Sequence, residues 1–161
     1  MPRPKHSMPR RNACAASVAV RPGPERTEVT VHLHLANTTP PGQPPDVLGV
    51  GEGAEGNLAP GQHLDLGDYL GMVELSAPAA ASSLAIDGDP HPPVAGPDGP
   101  TQVVAEQFII RRGAVLDVVF RFSLAGGHGS VVLEPSARVP ALAWSNGTLT
   151  LAGDGSHIVR W

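Results

Sequence analysis

The sequence predicts an all-β fold, a two-sheet antiparallel sandwich. Residues 27–37 alternate strictly between apolar and polar side chains, which is the period of a strand with one buried face. Further short apolar runs, separated by turns rich in Gly, Pro, Asn and Asp, continue to the C-terminus. No long segment repeats apolar residues at the helical period, so we expect almost no helix. A β-barrel is the main alternative to a sandwich.

The first half of the chain predicts three strands and two long loops. The strand at 27–37 is followed by residues 38–62, which are rich in Gly and Pro and predict a long loop. Residues 69–75 and 83–86 predict strands, and the second of these enters a tight turn at Asp87-Gly88-Asp89-Pro90. Residues 91–100 predict a second loop.

The second half predicts a hairpin whose strands cover residues 102–110 and 114–124. Only Arg111-Arg112-Gly113 separates the two strands, which is a typical hairpin loop length. One face of the second strand is expected to lie in the core, while Asp117 and Arg121 occupy the opposite face. The core face carries Leu116, Val118, Phe120 and Phe122.

The C-terminal region predicts shorter strands. Residues 130–133 form one, and residues 141–144 and 148–151 flank an Asn146-Gly147 turn that favours a second hairpin. Residues 157–161 predict a terminal edge strand. Roughly seven to nine strands with short turns favour a sandwich of immunoglobulin-like or fibronectin type III-like character.

Length and composition predict one domain with an N-terminal extension. The 161 residues include 19 Gly and 18 Pro, which fall mainly between apolar runs and so indicate turns. Residues 1–24 are rich in Pro and Arg, lack periodicity and end in Pro22-Gly23-Pro24. We therefore predict a disordered basic tail at 1–24 and a β-sandwich domain at 25–161.

The order of landmarks in the chain resembles one known family. The segments are VTVHLHLANTTPPGQPPDVLG, GQHLDLGDYLGMVELSAPAAASSLAIDGDP and RRGAVLDVVFRFSL. Over residues 27–136 they resemble the C-terminal β domain of actinobacterial membrane-anchored envelope proteins whose function is unknown. The resemblance implies a cell-envelope or extracellular location and an accessory β module, with no catalytic residue inherited. The family's anchoring helix and upstream domain have no counterpart here, so their functions are not expected.

Charge and cysteine content exclude several classes of function. Basic residues concentrate before residue 27, and the remainder of the chain is acidic, so the predicted domain would repel a phosphate backbone. The tail has no aromatic side chain to stack on bases, and we expect no nucleic-acid partner. Cys14 is the single cysteine, which excludes an intrachain disulfide. No apolar run reaches the ~20 residues of a membrane span, and residues 13–20 form a poor signal-peptide core.

Two histidines are the candidate metal ligands. His32 and His34 stand two residues apart on the polar face of the first strand, a spacing that presents two imidazoles to one ion. A third ligand would come from elsewhere in the chain, with His63, Asp65 and His128 as candidates. The simpler interpretation is a pair of surface histidines on a solvated strand.

Other candidate sites have structural interpretations that we favour. Aspartates in the turns at residues 87, 89 and 98 carry the oxygens that calcium prefers, but turn hydrogen bonding explains them better. Residues 126–130 lack the G-x-S-x-G elbow of a hydrolase, and Asp65 and Asp68 lack an aromatic sugar platform. The glycosylation patterns at Asn37 and Asn146 are interpreted as chance matches. Trp144 and Trp161 are assigned to the core or its rim rather than to a ligand surface.

These observations predict a non-enzymatic, immunoglobulin-like accessory or protein-interaction domain of a bacterial envelope or secreted protein. It would present the loops at 38–62 and 88–100, or add a partner strand at an exposed edge. The alternative is a carbohydrate- or metal-binding module that uses His32, His34 and the tryptophans. No cofactor is expected, and the partner is an unidentified protein or glycan.

Overall fold

A computed structural model describes residues 12–42, 58, 60–89, 92–134, 143–146, 149–151 and 155–161. These residues form eleven strands and no helix. The strands are β1 (Asn12–Pro22), β2 (Arg26–Asn37), β3 (Tyr69–Pro78), β4 (Ser82–Ile86), β5 (Val94–Asp98), β6 (Thr101–Ile110), β7 (Val115–Ala125), β8 (Ser130–Leu133), β9 (Ala143–Asn146), β10 (Leu149–Leu151) and β11 (His157–Arg160).

The strands form a six-stranded sheet, a three-stranded sheet and a two-stranded ribbon. The order is β10-β9-β1-β2-β7-β4 in the first, β3-β6-β5 in the second and β11-β8 in the ribbon. All pairs are antiparallel except β1 with β9, which is parallel. The prediction of an all-β sandwich is confirmed, whereas its immunoglobulin-like character stays a prediction.

The hydrophobic core collects one face of most strands. Phe120 on β7 is completely buried and packs with Val18 of β1 and Val29 of β2 in one cluster. Val104 of β6 and Val159 of β11 join the same cluster from the three-stranded sheet and from the ribbon, respectively. The predicted core face of β7 is therefore confirmed, because Val118, Phe120 and Phe122 are all buried.

The predicted disordered tail is wrong for residues 12–22. These residues form β1, which pairs with β2 without interruption from Asn12 opposite Asn37 to Pro22 opposite Thr27. Ala16 and Val18 alternate with Ala15, Ser17 and Ala19, which differ little from them in polarity, and for that reason the pattern did not indicate a strand. Pro22-Gly23-Pro24 is the turn of a hairpin and not the end of a linker. The sandwich thus includes residue 12, and residues 1–11 lie outside the described residues.

The predicted hairpin between β6 and β7 is also wrong, although both strands exist. β6 pairs with β3 and β5 in the three-stranded sheet, while β7 pairs with β2 and β4 in the six-stranded sheet. Residues 111–114 form an arch that carries the chain from one layer to the other, closed by the Ala114 N–H donating to the Arg111 carbonyl at 2.9 Å. Gly113 supplies the positive φ (+76°) of this turn. A loop of this length is compatible with a hairpin and also with an arch between two sheets. Only the strands with which β6 and β7 pair distinguish the two.

The remaining predicted elements agree with the structure, with one exception. Strands at 69–75, 83–86, 130–133 and 157–161 are confirmed with small changes of bounds, as is the pairing of β9 with β10. The predicted loop at 91–100 is wrong where it contains β5, whose five residues are all exposed. Residues 43–57 of the predicted loop at 38–62 lie outside the described residues.

Asn37 connects the segments that meet at the arch. Its side chain is 1% exposed, and its amide donates to the carbonyls of Gly67 (2.8 Å) and Ile110 (2.9 Å). Its backbone N–H donates to the Ala114 carbonyl at 3.0 Å, and its carbonyl accepts from the Gly113 N–H at 2.9 Å. This buried amide cannot serve as a glycosylation acceptor in the folded protein.

Replacing Asn37 by Asp tests this connection. Asn37→Asp converts two donated hydrogen bonds into contacts between a buried carboxylate and two carbonyl oxygens. We expect the free energy of unfolding to fall by about 3–5 kcal/mol at pH 7, as measured by urea denaturation. Gln107→Glu, the same chemical change on an exposed residue of β6, is the control, and an equal effect of both substitutions would contradict the assigned role.

Candidate functional site

The two predicted metal ligands lie on the outer face of the six-stranded sheet. β2 runs between β1 and β7, and its alternation buries Val31 while turning His32 and His34 outwards. The two imidazole side chains are 49% and 52% exposed. Small residues of β1 flank them, since Ser17 lies opposite His32 and Ala15 opposite His34. The two side chains are therefore accessible from solvent.

Asp117 of β7 lies between the two histidines. It is directly opposite His34 in the register, with its Oδ1 at 2.8 Å from His34 Nδ1 and 3.7 Å from His32 Nε2. Sequence reasoning placed Asp117 on a polar face but did not connect it to the histidines. That connection depends on the register of β2 against β7, which are separated by some 80 positions in the chain. No local sequence signal encodes it.

The residues that were predicted as further ligands lie elsewhere. His63 and Asp65 contact each other at 3.8 Å in the segment before β3, and His128 lies in the connection between β7 and β8. Within the described part of the chain, no three or more His, Cys, Asp or Glu side chains are grouped so that they could hold a metal ion. The metal site at His32 and His34 therefore stays a prediction.

A second polar cluster fastens the segment before β3 to the arch. The Asp68 carboxylate is 3% exposed and accepts hydrogen bonds from the N–H groups of Asp65 (2.9 Å) and Arg112 (3.0 Å) and from the Arg111 guanidinium. Arg111 also donates to the His63 carbonyl at 2.9 Å. Both carboxylate oxygens of Asp68 thus accept hydrogen bonds, and they connect the segment before β3 to the arch.

The hydrogen bonds to Asp68 also set its ionisation. Burial alone would raise the pKa of this carboxyl, but the donors from Asp65, Arg111 and Arg112 outweigh burial and lower the pKa below its usual value. The carboxylate form is therefore favoured by folding.

The aspartates in the turns also have structural partners. Asp87 forms a two-point ion pair with Arg121, with Nε to Oδ1 at 2.7 Å and Nη2 to Oδ2 at 2.6 Å. The hydrogen bond from Arg121 lowers the pKa of Asp87. The Asp98 carbonyl accepts from the Thr101 hydroxyl at 2.8 Å, which closes the turn before β6. The Asp87 contact reaches another strand and the Asp98 contact uses its backbone carbonyl, so hydrogen bonding of these side chains to their own turns stays a prediction.

The opposite end of the sandwich consists of backbone contacts between turns. The Gly126 N–H donates to the Glu25 carbonyl, and the Thr27 hydroxyl donates to the Gly126 carbonyl at 2.7 Å.

Trp161 packs against the core and contacts Gly129, as expected for a residue of the core or its rim. The side chain of Trp144 lies outside the described residues.

An open cleft of about 360 Å³ beside the β1–β2 turn is lined by residues 21–26 and Glu28, which include no nucleophilic side chain.

The sheet edges differ in how they are protected against further strands. β4 has a bulge between Ser82 and Ala85 with Ser83 at φ 57°, β5 contains Gly96 and Pro97, β10 has three residues, and the ribbon strands β8 and β11 have four residues each. Bulges, prolines and short length are the common protections of edge strands. β3 has no bulge and no interior proline, since it pairs with β6 in continuous register over ten residues and its proline is the last of them; the exposed Glu74 is its single charged side chain.

The β3 edge also exposes apolar side chains. Tyr69 at its start is 44% exposed and Met72 is 57% exposed. The Tyr69 ring stacks at a tilt on Phe108 of β6, with the ring centroids 6.0 Å apart. Gly71 lies under these two rings, because a Cβ there would come within 2.7 Å of Tyr69 and 2.8 Å of Phe108. Among the described edges, β3 is thus the one best suited to accept another strand.

Comparison with known proteins finds no matching family model, curated protein or solved structure. The resemblance to actinobacterial envelope proteins and the envelope or extracellular location therefore stay predictions. The described residues include no helix with the length and apolar character needed to cross a membrane.

The ionisation of Asp68 predicts how stability depends on pH. Because folding lowers its pKa, Asp68 stabilises the protein above the usual carboxyl pKa of about 4, and this contribution is lost as the pH falls through the folded value. We expect Asp68→Asn to lower the free energy of unfolding by about 2 kcal/mol at pH 7. The difference from wild type should shrink towards about pH 2, as measured by urea denaturation at each pH.

The matched control for this prediction is Asp65→Asn. Asp65 belongs to the same segment but its side chain is 71% exposed, so its substitution should have a small effect at every pH. A difference between wild type and Asp68→Asn that does not change with pH would contradict the assigned ionisation.

Proposed function

We propose that this protein is a non-enzymatic β-sandwich interaction module, immunoglobulin-like and accessory to a bacterial envelope or secreted protein, which binds its partner by strand addition at β3. The observation that carries the proposal is the unprotected edge of β3, ten residues long in continuous register with β6. Its neighbour on one side is β6, and its other side faces no described strand.

Strand addition uses the backbone of the edge. Alternate residues of an edge strand direct N–H and C=O groups away from the sheet, and an extended segment of a partner pairs with them. The inner face of β3 belongs to the core, since Val73 and Leu75 pack against it and Ala77 is buried. An added strand would therefore extend the sheet and cover the open side of this layer.

Side chains on the outer face of β3 set the preference for a partner. Met72 and Glu74 point to this face, and both are exposed. A bound strand without an acidic residue beside Glu74 would avoid like-charge contact there, and Met72 offers apolar surface to the residue beside it. We therefore infer an extended protein segment as the partner, with backbone pairing for affinity and these two positions for selectivity.

Selection from a displayed library of short random peptides tests the proposal. We expect enriched peptides to be extended sequences that slow hydrogen exchange of the β3 backbone amides. Met72→Lys places a charge on the edge strand and should weaken binding about tenfold. Ile158→Lys is the matched control, because Ile158 on β11 is 53% exposed and lies on a different pair of strands. Peptides that protect other strands, or that bind Met72→Lys unchanged, would overturn the proposal.

A second candidate function, binding of a transition metal, would use His32, His34 and Asp117, which lie near one another in the structure but are not arranged there as a metal site. Two imidazoles and one carboxylate are common zinc ligands. Binding would require the 2.8 Å contact between His34 and Asp117 to open, so that both side chains turn to the ion. All three side chains are about half exposed, which leaves them room to turn.

A thermal-shift titration with zinc tests this second candidate. If the site binds zinc, the melting temperature should rise by several degrees at saturating metal, because the ion binds the folded state. The rise should be lost in His32→Ala and in Asp117→Ala. It should persist in His63→Ala, which removes an exposed histidine near Asp65. A melting temperature that zinc leaves unchanged would exclude the site.

A further inference from the structure

We propose that the strand added to β3 is β3 of a second copy of this chain, antiparallel, on a two-fold axis through Val73. This inference rests on the proposed function, since it names the occupant of the same edge. The pairing would join two three-stranded sheets into one continuous six-stranded sheet, in the order β5-β6-β3-β3-β6-β5.

The alternation of β3 restricts the possible registers. Directly opposite residues of an antiparallel pair lie on the same face, so core-facing residues must meet core-facing residues. The core-facing positions of β3 are odd-numbered, as Val73, Leu75 and Ala77 show. A symmetric pair must therefore place its axis on a residue of β3, and axes at Val73 or Glu74 retain the most residue pairs.

Charge selects between these two axes. An axis at Glu74 places the two Glu74 carboxylates directly opposite each other, which is unfavourable. An axis at Val73 places Met72 opposite Glu74 of the partner subunit on the outer face, and Val73 opposite Val73 of the partner subunit on the inner face. The second arrangement pairs two β-branched side chains and leaves no like charges in contact.

The Val73 axis also accounts for the aromatic pair at the start of β3. In this register, Gly71 faces Leu75 of the partner subunit. Gly71 has no side chain and lies beneath the rings of Tyr69 and Phe108, so the leucine would meet the edge of the aromatic pair. Tyr69, which is 44% exposed in the single chain, would face Ala77 of the partner subunit. The two-fold axis through Val73 would therefore cover apolar surface at both ends of the β3 edge.

The self-complementarity of β3 is the reason for assigning a second copy rather than an unrelated segment. Every opposed pair in this register is apolar with apolar, apolar with small, or Met72 with Glu74. The other described edges are less suited to this pairing, because β4 has a bulge, β5 contains Gly96 and Pro97, and β8, β10 and β11 have only three or four residues.

Sedimentation equilibrium of the full chain over a range of protein concentrations tests the proposal. We expect a monomer–dimer equilibrium. Met72→Glu creates two symmetric carboxylate contacts with Glu74 of the partner subunit and should raise the dissociation constant about tenfold. The double variant Met72→Glu with Glu74→Lys restores opposite charges across the pair and should return the constant to near the wild-type value.

Ile158→Glu is the matched control, since it places the same charge at an equally exposed apolar position away from β3. A monomer at all concentrations would overturn the dimer, as would a dimer that Met72→Glu leaves unchanged or that the double variant does not restore. The displayed-peptide selection separates this failure from that of the proposed function. A monomeric protein that still selects β3-binding peptides retains the proposed function and loses only the second copy as its partner.

Discussion

The structure depends on the hydrogen bonds of Asn37 at the point where the chain passes from one sheet to the other. A single buried residue pairs with backbone groups of Gly67, Ile110, Gly113 and Ala114. These groups belong to the turn before β3, the end of β6 and the arch before β7. Without the Asn37 side chain, the carbonyls of Gly67 and Ile110 would lose these donors, at a cost of about 1–3 kcal/mol each, whereas the pairing with Gly113 and Ala114 uses the backbone of residue 37. The ion pair of Asp68 with Arg111 lies beside this connection and fastens the same segments.

The arch decides which surfaces of the molecule are available for binding. Because residues 111–114 lead β7 into the other layer, β7 pairs with β2 along eleven positions and places Asp117 beside His34. The same crossing leaves β6 to pair with β3 and β5, so β3 becomes an edge. The imidazole–carboxylate cluster and the unprotected edge are thus two consequences of one topological step.

The edge strands differ in the features that prevent pairing with a further strand. The bulge in β4, the glycine and proline of β5 and the short length of β10 each prevent extended pairing. β3 combines a continuous register with exposed Tyr69 and Met72. On the charged outer surface, Arg121 and Asp87 form a two-point ion pair with each other. These edges belong to the same molecule and differ from one another in regularity and length.

The sequence by itself determined the all-β character, most strand positions and the buried face of β7, because alternation and turn residues act over a few neighbouring positions. It also placed His32 and His34 together on an exposed face. It did not predict β1, whose small residues carry little periodicity, or β5, whose Gly96 and Pro97 resemble a loop. Only the tertiary structure decided the arch, the contact of Asp117 with the histidines and the edge position of β3 among the described strands. Each of these depends on which distant strands pair, and a local pattern contains no information about that choice.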